Sequence, residues 1–572
     1  MEFTYKKLDN ASLYESISSS EFLDIHTPQN YVPIYTRFFS LNNRNYDKIT
    51  LNNNYSLSSI TKMHNTNMCS AIVNDASGAS RNVEVFFKYS PLLDITKYLI
   101  GRYDISDNTL LSLPTFDSNN CHAKTADPNN SAYVDSFFTY LSSKLLNDHQ
   151  FPHAIDFYGS FLAIKKNFLY NIADDVEYLN ESPFFHENRG ILFDIDNTYV
   201  GDIFNFDTRR NKNKLVFIND NDDNEVLQLS DIADLDQLST IFTNSPIDPS
   251  FSSTLDTNLV FSYDITKCLD KKSDCVSDCS SRSSVTNSDY EESNDDDSCD
   301  KSIHSDKSDS YSTASEDILL AIIKEFPVQV IAMEKCINTL DSLIVEQNKD
   351  ISDKEWGSIM AQIVFSLLAY GKSFGFIHND LHTNNIMYIP TNKQFLYYKY
   401  NNKHYKVPTF GKLYKIIDFG RAIYKFRGNV ICSDSYHPKG DAAAQYNFEP
   451  YFNPDKPRIE PNFSFDLCRL ACSLYDFIID DIEDNLNSPS TAARRMITGW
   501  CIDDKGRNVL YKQNGEERYP DFKLYKMITR TVHNHTPEAV VNNSYFERFI
   551  VSKKSISKNA KITNIDTLPN YQ

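Results

Sequence analysis

The sequence predicts an α+β fold, rich in strands over its first half and in helices over its second, with a long polar insertion between two strands. Three patterns carry that reading. Residues 68 to 99 run strand, polar turn, strand, because "NDASGAS" places Asn, Asp, Ser and Gly between two apolar stretches. The segments 354–376 and 464–479 place apolar residues at helical spacing. Between the strand-like runs "AIDFYGSFLAI" (154–164) and "FPVQVIAMEKC" (326–336) lies an excursion whose residues 271 to 317 are nearly all Ser, Asp and other polar types.

Each element follows from its residues. In "NSAYVDSFFTYLSSKLLND" (130–148), Tyr133, Phe137, Tyr140, Leu141 and Leu145 recur on one helical face, with Asn and Asp at the ends. The 271–317 stretch cannot bury enough apolar surface to offset its ordering entropy and is expected to be disordered. Cys268, Cys275, Cys279 and Cys299 lie in or near it, but without a paired CxxC or close histidines they make a poor zinc site. A strand "IMYI" follows the 354–376 helix, and residues 395–417 read as a hairpin-bearing insertion that ends in an apolar strand running into "DFG". No repeat or heptad register is visible.

Composition narrows the function. A formal charge of -20 and a sequence pI near 5.1 argue against a protein that coats nucleic acid, which needs concentrated Lys and Arg. The start "MEFTYKKLDNASLYESISSS" lacks the apolar core of a signal peptide, and no apolar stretch is long enough to span a bilayer. Eleven scattered cysteines suit reduced thiols. The expectation is a soluble intracellular protein.

The chemistry concentrates in "FIHNDLHTNN" (376–385) and in "DFG" (418–420). They supply a loop carboxylate, Asp380, an amide five positions on, Asn385, and a second carboxylate at a strand end, Asp418. A carboxylate that accepts a hydroxyl proton, beside an amide and a carboxylate offering hard oxygen ligands to Mg²⁺, is what nucleotide phosphoryl transfer requires. Polar residues after a helix can also merely cap it and form an Asx turn. Both motifs in order, each with a strand beside it, favour the chemical reading.

"HNDLHTNN" resembles the H-R-D-L-x-x-x-N catalytic loop of the protein-kinase superfamily, and "DFG" its metal-binding motif. The resemblance implies a bilobal fold with a β-rich N-lobe and a mostly helical C-lobe. Its boundaries here would be an extension over 1–50, an N-lobe over 51–335 with an insertion at about 170–318, and a C-lobe over 336–572. It assigns Asp380 as catalytic base, Asn385 and Asp418 as ligands of Mg²⁺ or Mn²⁺, Gly420 as the pivot after Phe419, and His378 as a brace. Lys88, closing "VEVFFK", would hold the ATP phosphates. Its helical partner should be a glutamate, but the helix body offers only Asp135. Met333 would line the adenine pocket, the backbone from Glu334 to Cys336 would meet the adenine edge, and Asp341 the ribose. Asp466 resembles the buried aspartate that ties the catalytic loop.

Departures from the pattern qualify the reading. No glycine occurs before Gly78, so the Gly-rich loop is missing, and "KMHNTNMCS" (62–70) stands in its place. There asparagine, the non-glycine residue best able to enter left-handed backbone, is expected to shape the turn. Asn379 replaces the arginine of H-R-D, which disfavours activation-loop phosphorylation as the main switch. His382 stands where serine/threonine kinases carry lysine, and in this the loop is similar to choline and aminoglycoside phosphotransferases. The order of "HNDLH", "IDFGRAI" and "ERYPDFKLYKMI" resembles serine/threonine protein kinases of giant, mimivirus-like DNA viruses. The expectation is therefore ATP-dependent transfer to protein hydroxyls, in the host cytoplasm or the virion, with no nucleic-acid or membrane partner. A small-molecule kinase and a pseudokinase scaffold are the alternatives, and the oligomeric state is left open.

Overall fold

Alternation of apolar and polar residues over 55–91 folds as a meander, the first part of a seven-stranded sheet. The computed structural model describes residues 3–7, 10–20, 22–116, 120–196, 319–346, 351–478, 492–520 and 522–572. Its large sheet comprises β1 (Ile25–Gln29), β2 (Tyr55–Met63), β3 (Met68–Asp75), β4 (Ser80–Pro91), β5 (Phe157–Asn171), β6 (Phe193–Ile195) and β7 (Leu320–Glu334). The order is β1-β5-β7-β4-β3-β2, with β6 also paired to β7. The β3–β4 turn closes at Gly78, whose φ of +85° is natural for glycine and costly for any other residue.

Register decides which side chains share a face. In the antiparallel β4–β7 pair Lys88 lies opposite Ile331 and Phe86 opposite Met333, so Lys88 and Met333 point to the same side. On β4, Val85, Phe87 and Tyr89 alternate to the other side and are buried. A lysine between such neighbours is itself only 6% exposed.

Helix α1 (Ser131–His149) begins at Asn130, whose side chain accepts from the N–H of Ala132. Every residue from Ala132 to Leu145 is buried. One apolar cluster joins α1 to helices α2 (Asp353–Phe374) and α3 (Phe465–Ile478). At its centre Phe138 stacks on Phe376 at 4.3 Å and meets Phe419 edge-on at 4.7 Å. Truncating such a ring to alanine costs about 3 to 5 kcal/mol, so this contact strongly couples α1 to the segments bearing the two polar motifs. After α2, β8 (Ile386–Pro390) pairs with β11 (Lys412–Ile416). Between them the predicted hairpin, β9 (Phe395–Tyr400) and β10 (Lys403–Pro408), joins a separate sheet with Ile550–Val551 and Ile562–Asn564. Helix α4 (Lys523–Thr531) lies beside α3.

Two expected boundaries move. Residues 1–50 are not an appendage: β1 pairs with β5, and Phe3, Val32, Ile34 and Tyr35 are part of the main core. The reason is that β5 would otherwise present an unpaired edge. The expected insertion at about 170–318 begins with ordered structure, because β5 runs to Asn171 and β6 returns to pair Phe193 with Ile323. Residues 271–317 and their cysteines lie outside the described residues. Cysteines 69, 121, 336, 432, 468, 472 and 501 are buried and form no disulfide among the described residues. Among the described residues no helix is long and apolar enough to cross a membrane.

Candidate active site

The end of β4, the second turn of α1 and the segment just after β11 converge on one ammonium group. Lys88 Nζ lies 2.7 Å from Asp135 Oδ2 and 2.8 Å from Asp418 Oδ1. The other oxygen of Asp135, Oδ1, accepts the N–H of Phe419 at 2.9 Å. The short arm of aspartate therefore suffices where a glutamate was expected, because α1 packs against the 418–420 segment. Burial pushes the Asp135 carboxyl up, with the charge of Asp418 adding to it, against the pull of Lys88. Asp418, a third exposed, is also lifted by burial, but Lys88 takes it below the usual carboxylate range. Desolvation disfavours the Lys88 ammonium, and the two carboxylates outweigh it, so the lysine stays charged.

The 376–385 loop is held from below. Asp466, in the first turn of α3, accepts the N–H groups of His378 and Asn379, both at 2.8 Å. His378 Nε2 lies 2.8 Å from the carbonyl of Ile417, which ties this loop to the strand before Asp418. Asn379 and Asp418 both adopt φ of +63°, a region asparagine and aspartate enter more readily than other side chains. Asn379 Oδ1 then accepts the hydroxyl of Tyr446 at 2.5 Å, and its Nδ2 donates to the Arg421 carbonyl at 3.3 Å.

Asp380 is surrounded by donors and cations that its local sequence does not reveal. Tyr525 of α4 donates its hydroxyl to Asp380 Oδ1 at 2.7 Å, and the buried Arg469 donates Nε to the Tyr525 oxygen at 2.9 Å. Burial lifts the Asp380 carboxyl, but Arg421, His382, Arg469 and the Tyr525 hydrogen bond together bring it down to about 2. It is a carboxylate at any physiological pH. Burial brings His382 down to about 4 despite the nearby Asp380 charge, so the imidazole is neutral. A neutral ring can accept at Nε2, and Asn385 Nδ2 lies 3.1 Å from it and donates to the Asp380 carbonyl at 2.9 Å. The largest positive influence on Asp380 comes from Arg421, which is itself paired with Asp441.

These contacts bear on metal binding. The Asn385 amide spends its NH₂ on the loop, and no protein donor among the described residues reaches its Oδ1 or Asp418 Oδ2. The Ile417 N–H donates to the Asn385 carbonyl at 3.0 Å, which keeps Asn385 beside Asp418. Two uncommitted hard oxygens fit Mg²⁺, which takes one or two protein ligands and completes its shell with water and phosphate. Among the described residues there is no cluster of three or more His, Cys, Asp or Glu that could hold a metal alone.

The remaining predicted residues fall as follows. Met333 is buried on the Lys88 face, and Cys336 is buried, its thiol pushed up to about 12 by desolvation. The Glu334 side chain pairs with the buried Lys415 at 2.5 Å, and its N–H donates to the Asp156 carbonyl at 2.9 Å. The Lys335 N–H goes to Glu84, which leaves Cys336 with a backbone N–H that has no protein acceptor among the described residues. Asp341 accepts the hydroxyl of Thr383 at 2.5 Å, so its carboxylate is partly engaged by the 376–385 loop. Gly420 donates a long bond, 3.5 Å, to Asp418.

The 62–70 segment departs from the expected left-handed turn. None of its residues has positive φ; instead Asn65 Oδ1 accepts the N–H groups of Asn67 and Met68, an Asx turn. Asn67 folds back, donating its amide to the Phe87 carbonyl at 2.9 Å. The side chain does the work for which a left-handed backbone was expected.

No protein-family model matches the chain. A stretch of 118 residues, 20% of the chain, is 28% identical to a protein of Dictyostelium discoideum described as a probable serine/threonine-protein kinase. A stretch of 107 residues, 18% of the chain, is 25% identical to an uncharacterised protein of Caenorhabditis elegans. The matches span 9% and 36% of those proteins. The Dictyostelium match hints at a relationship to protein kinases, and neither match bears on the resemblance to kinases of giant viruses.

Proposed function

We propose that the chain is a divergent, catalytically competent protein kinase that transfers the γ-phosphoryl group of ATP to serine or threonine hydroxyls. The single observation that carries the proposal is the Lys88 ammonium shared by Asp135 and Asp418, with Asp135 also holding the backbone of Phe419. A scaffold has no need to keep this linkage, the free oxygens of Asn385 and Asp418, and an ionised Asp380 together. On this reading the large sheet and α1 form the nucleotide-binding lobe of a bilobal fold, and α2, α3 and α4 belong to the second lobe.

In mechanism, Lys88 is placed to meet the α- and β-phosphates, and Asp418 and Asn385 are the residues that would hold Mg²⁺. The metal, when bound, neutralises charge on the transferring group. Asp380 orients the attacking hydroxyl. With a carboxyl near 2 it is a weak base, so it takes the proton only as the new P–O bond forms, which suits a loose transition state. Met333 and the backbone at Cys336 would receive the adenine.

The deciding experiment incubates wild type and the Asp418→Ala variant with radiolabelled ATP, Mg²⁺ and a protein panel, followed by phosphosite mapping. Label on serine or threonine that is lost in the variant is expected. Label only on alcohols or aminoglycosides would move the chain to the small-molecule kinases. Binding of Mg-ATP in a thermal-shift titration without transfer would make it a scaffold.

A further inference from the structure

Beyond "DFG" the chain forms a bracket between the 376–385 loop and the start of α1. Two short strands, β12 (Ile423–Phe426) and β13 (Asn429–Cys432), pair antiparallel with Ile423 opposite Cys432. Ile423 exchanges both backbone hydrogen bonds with Ile377, each at 2.9 Å, which joins the hairpin to the loop that carries Asp380. On the other side the buried Tyr424 donates its hydroxyl to the Val134 carbonyl of α1 at 3.0 Å.

Just past the hairpin, the buried Asp434 makes three contacts with the entry to α1. Its N–H donates to the Asn129 carbonyl at 2.7 Å, its Oδ1 accepts the N–H of Ser131 at 3.1 Å, and its Oδ2 pairs with the Lys124 ammonium. Ser131 is the first residue of α1, where backbone N–H groups lack a partner inside the helix and the dipole favours negative charge. Asn130 takes the next N–H, and its Nδ2 donates to the carbonyls of Leu92 at 2.8 Å and Lys124 at 3.0 Å. The start of α1 is thereby fixed from both sides. Asp135 stands four residues on, about 6 Å along the axis, so a shift of the helix start moves the carboxylate that meets Lys88 and the Phe419 N–H.

We propose that Asp434 is a positioning residue: it holds α1 where Asp135 reaches Lys88 and Phe419, so that no phosphate on the 421–450 segment is needed to order the site. The proposal rests on the kinase reading. A phosphate on such a segment would act by bringing negative charge to a helix start or a cation and so ordering the chain around it. Here a carboxylate built into the chain already meets both, at Ser131 and Lys124. Asn379 points the same way, because it is neutral and spends its side chain on Tyr446 and the Arg421 carbonyl. That position offers a phosphate no cation, and Arg421 is matched by Asp441.

The test reads nucleotide binding on the full chain separately from phosphoryl transfer. A non-hydrolysable ATP analogue with Mg²⁺, and adenosine alone, are titrated by calorimetry into wild type, Asp434→Ala, Asp135→Asn and the double variant. Asp434→Ala should weaken the analogue about tenfold and leave adenosine unchanged, because only the phosphates meet Lys88. In the Asp135→Asn background the same change should cost nothing further, since Asp434 acts through Asp135. If Asp434→Ala does not fold, Asp434→Asn replaces it, with a smaller loss in the same direction. Equal losses for analogue and adenosine, equal losses in both backgrounds, or no loss at all would overturn the proposal. So would a wild-type chain that loses its analogue affinity on phosphatase treatment and regains it with a phosphate between residues 421 and 450. The expected binding pattern, with no phosphorylation of any protein by the wild-type chain, would uphold Asp434 and sink the kinase reading instead.

Discussion

Asp135 and Asp380 are the same side chain in two settings, and their carboxyls are pushed in opposite directions. Around Asp135 one ammonium, Lys88, serves two carboxylates, and the cluster is one positive charge short. Around Asp380 one carboxylate is served by Arg421, Arg469 and the Tyr525 hydroxyl, and it falls to about 2. The first arrangement has room for an added cation, and the second leaves a carboxylate that needs none. On the proposed function, charge count at a site, more than burial alone, would separate the region that receives Mg²⁺ and phosphates from the one that holds a hydroxyl.

The comparison can be broken at either end. Asp380→Asn should lower the phosphorylation rate by about 10²- to 10⁴-fold with little change in ATP affinity, read by steady-state kinetics and nucleotide titration. A normal rate would remove Asp380 from the chemistry. Lys88→Met strands the buried Asp135 and takes the partner from the third-exposed Asp418, and denaturant unfolding should show a loss of about 3 kcal/mol, mostly from Asp135. Adding Asp135→Asn to that variant should restore part of the loss, since it removes one stranded charge.

Smaller changes sharpen the contrast. Tyr525→Phe removes one donor from Asp380, so the carboxyl should rise from about 2 and the acid limb of the pH–rate profile should move to higher pH. A merely structural tyrosine would leave that limb in place. The smallest effect concerns His153 and His382, both brought from 6.5 to about 4, mainly by burial. Because the folded state holds them neutral, stability is fully present above 6.5 and is lost as pH falls toward 4. Between about pH 7 and pH 6 the loss for the two together should be about 1 kcal/mol, measured by denaturant midpoints.

Much of this site was legible in local sequence. Asp380, Asn385 and Asp418 announce themselves by spacing, and Lys88 by closing an alternating strand after a turn. Helix α1 and the hairpin of β3 and β4 lie where periodicity and turn chemistry put them. Asp135 was visible as a candidate, but its reach was not, because the distance between α1 and the 418–420 segment is a packing outcome. Tyr525, Arg469 and Arg421 gave no local signal as partners of Asp380. In a helix, Tyr525 reads simply as one more buried aromatic beside Leu524 and Ile528.

The sequence by itself determined which residue types stand in each loop and strand end, since turn and helix signals act over a few neighbours. Only the tertiary structure decided who meets whom. Lys88 and Asp135 are 47 residues apart, Asp380 and Tyr525 are 145, and Asp135 and Phe419 are 284. Contacts of that separation are set by how the sheet, α1 and the helices pack around a shared aromatic core, and no local pattern encodes the charge that each carboxylate finally feels.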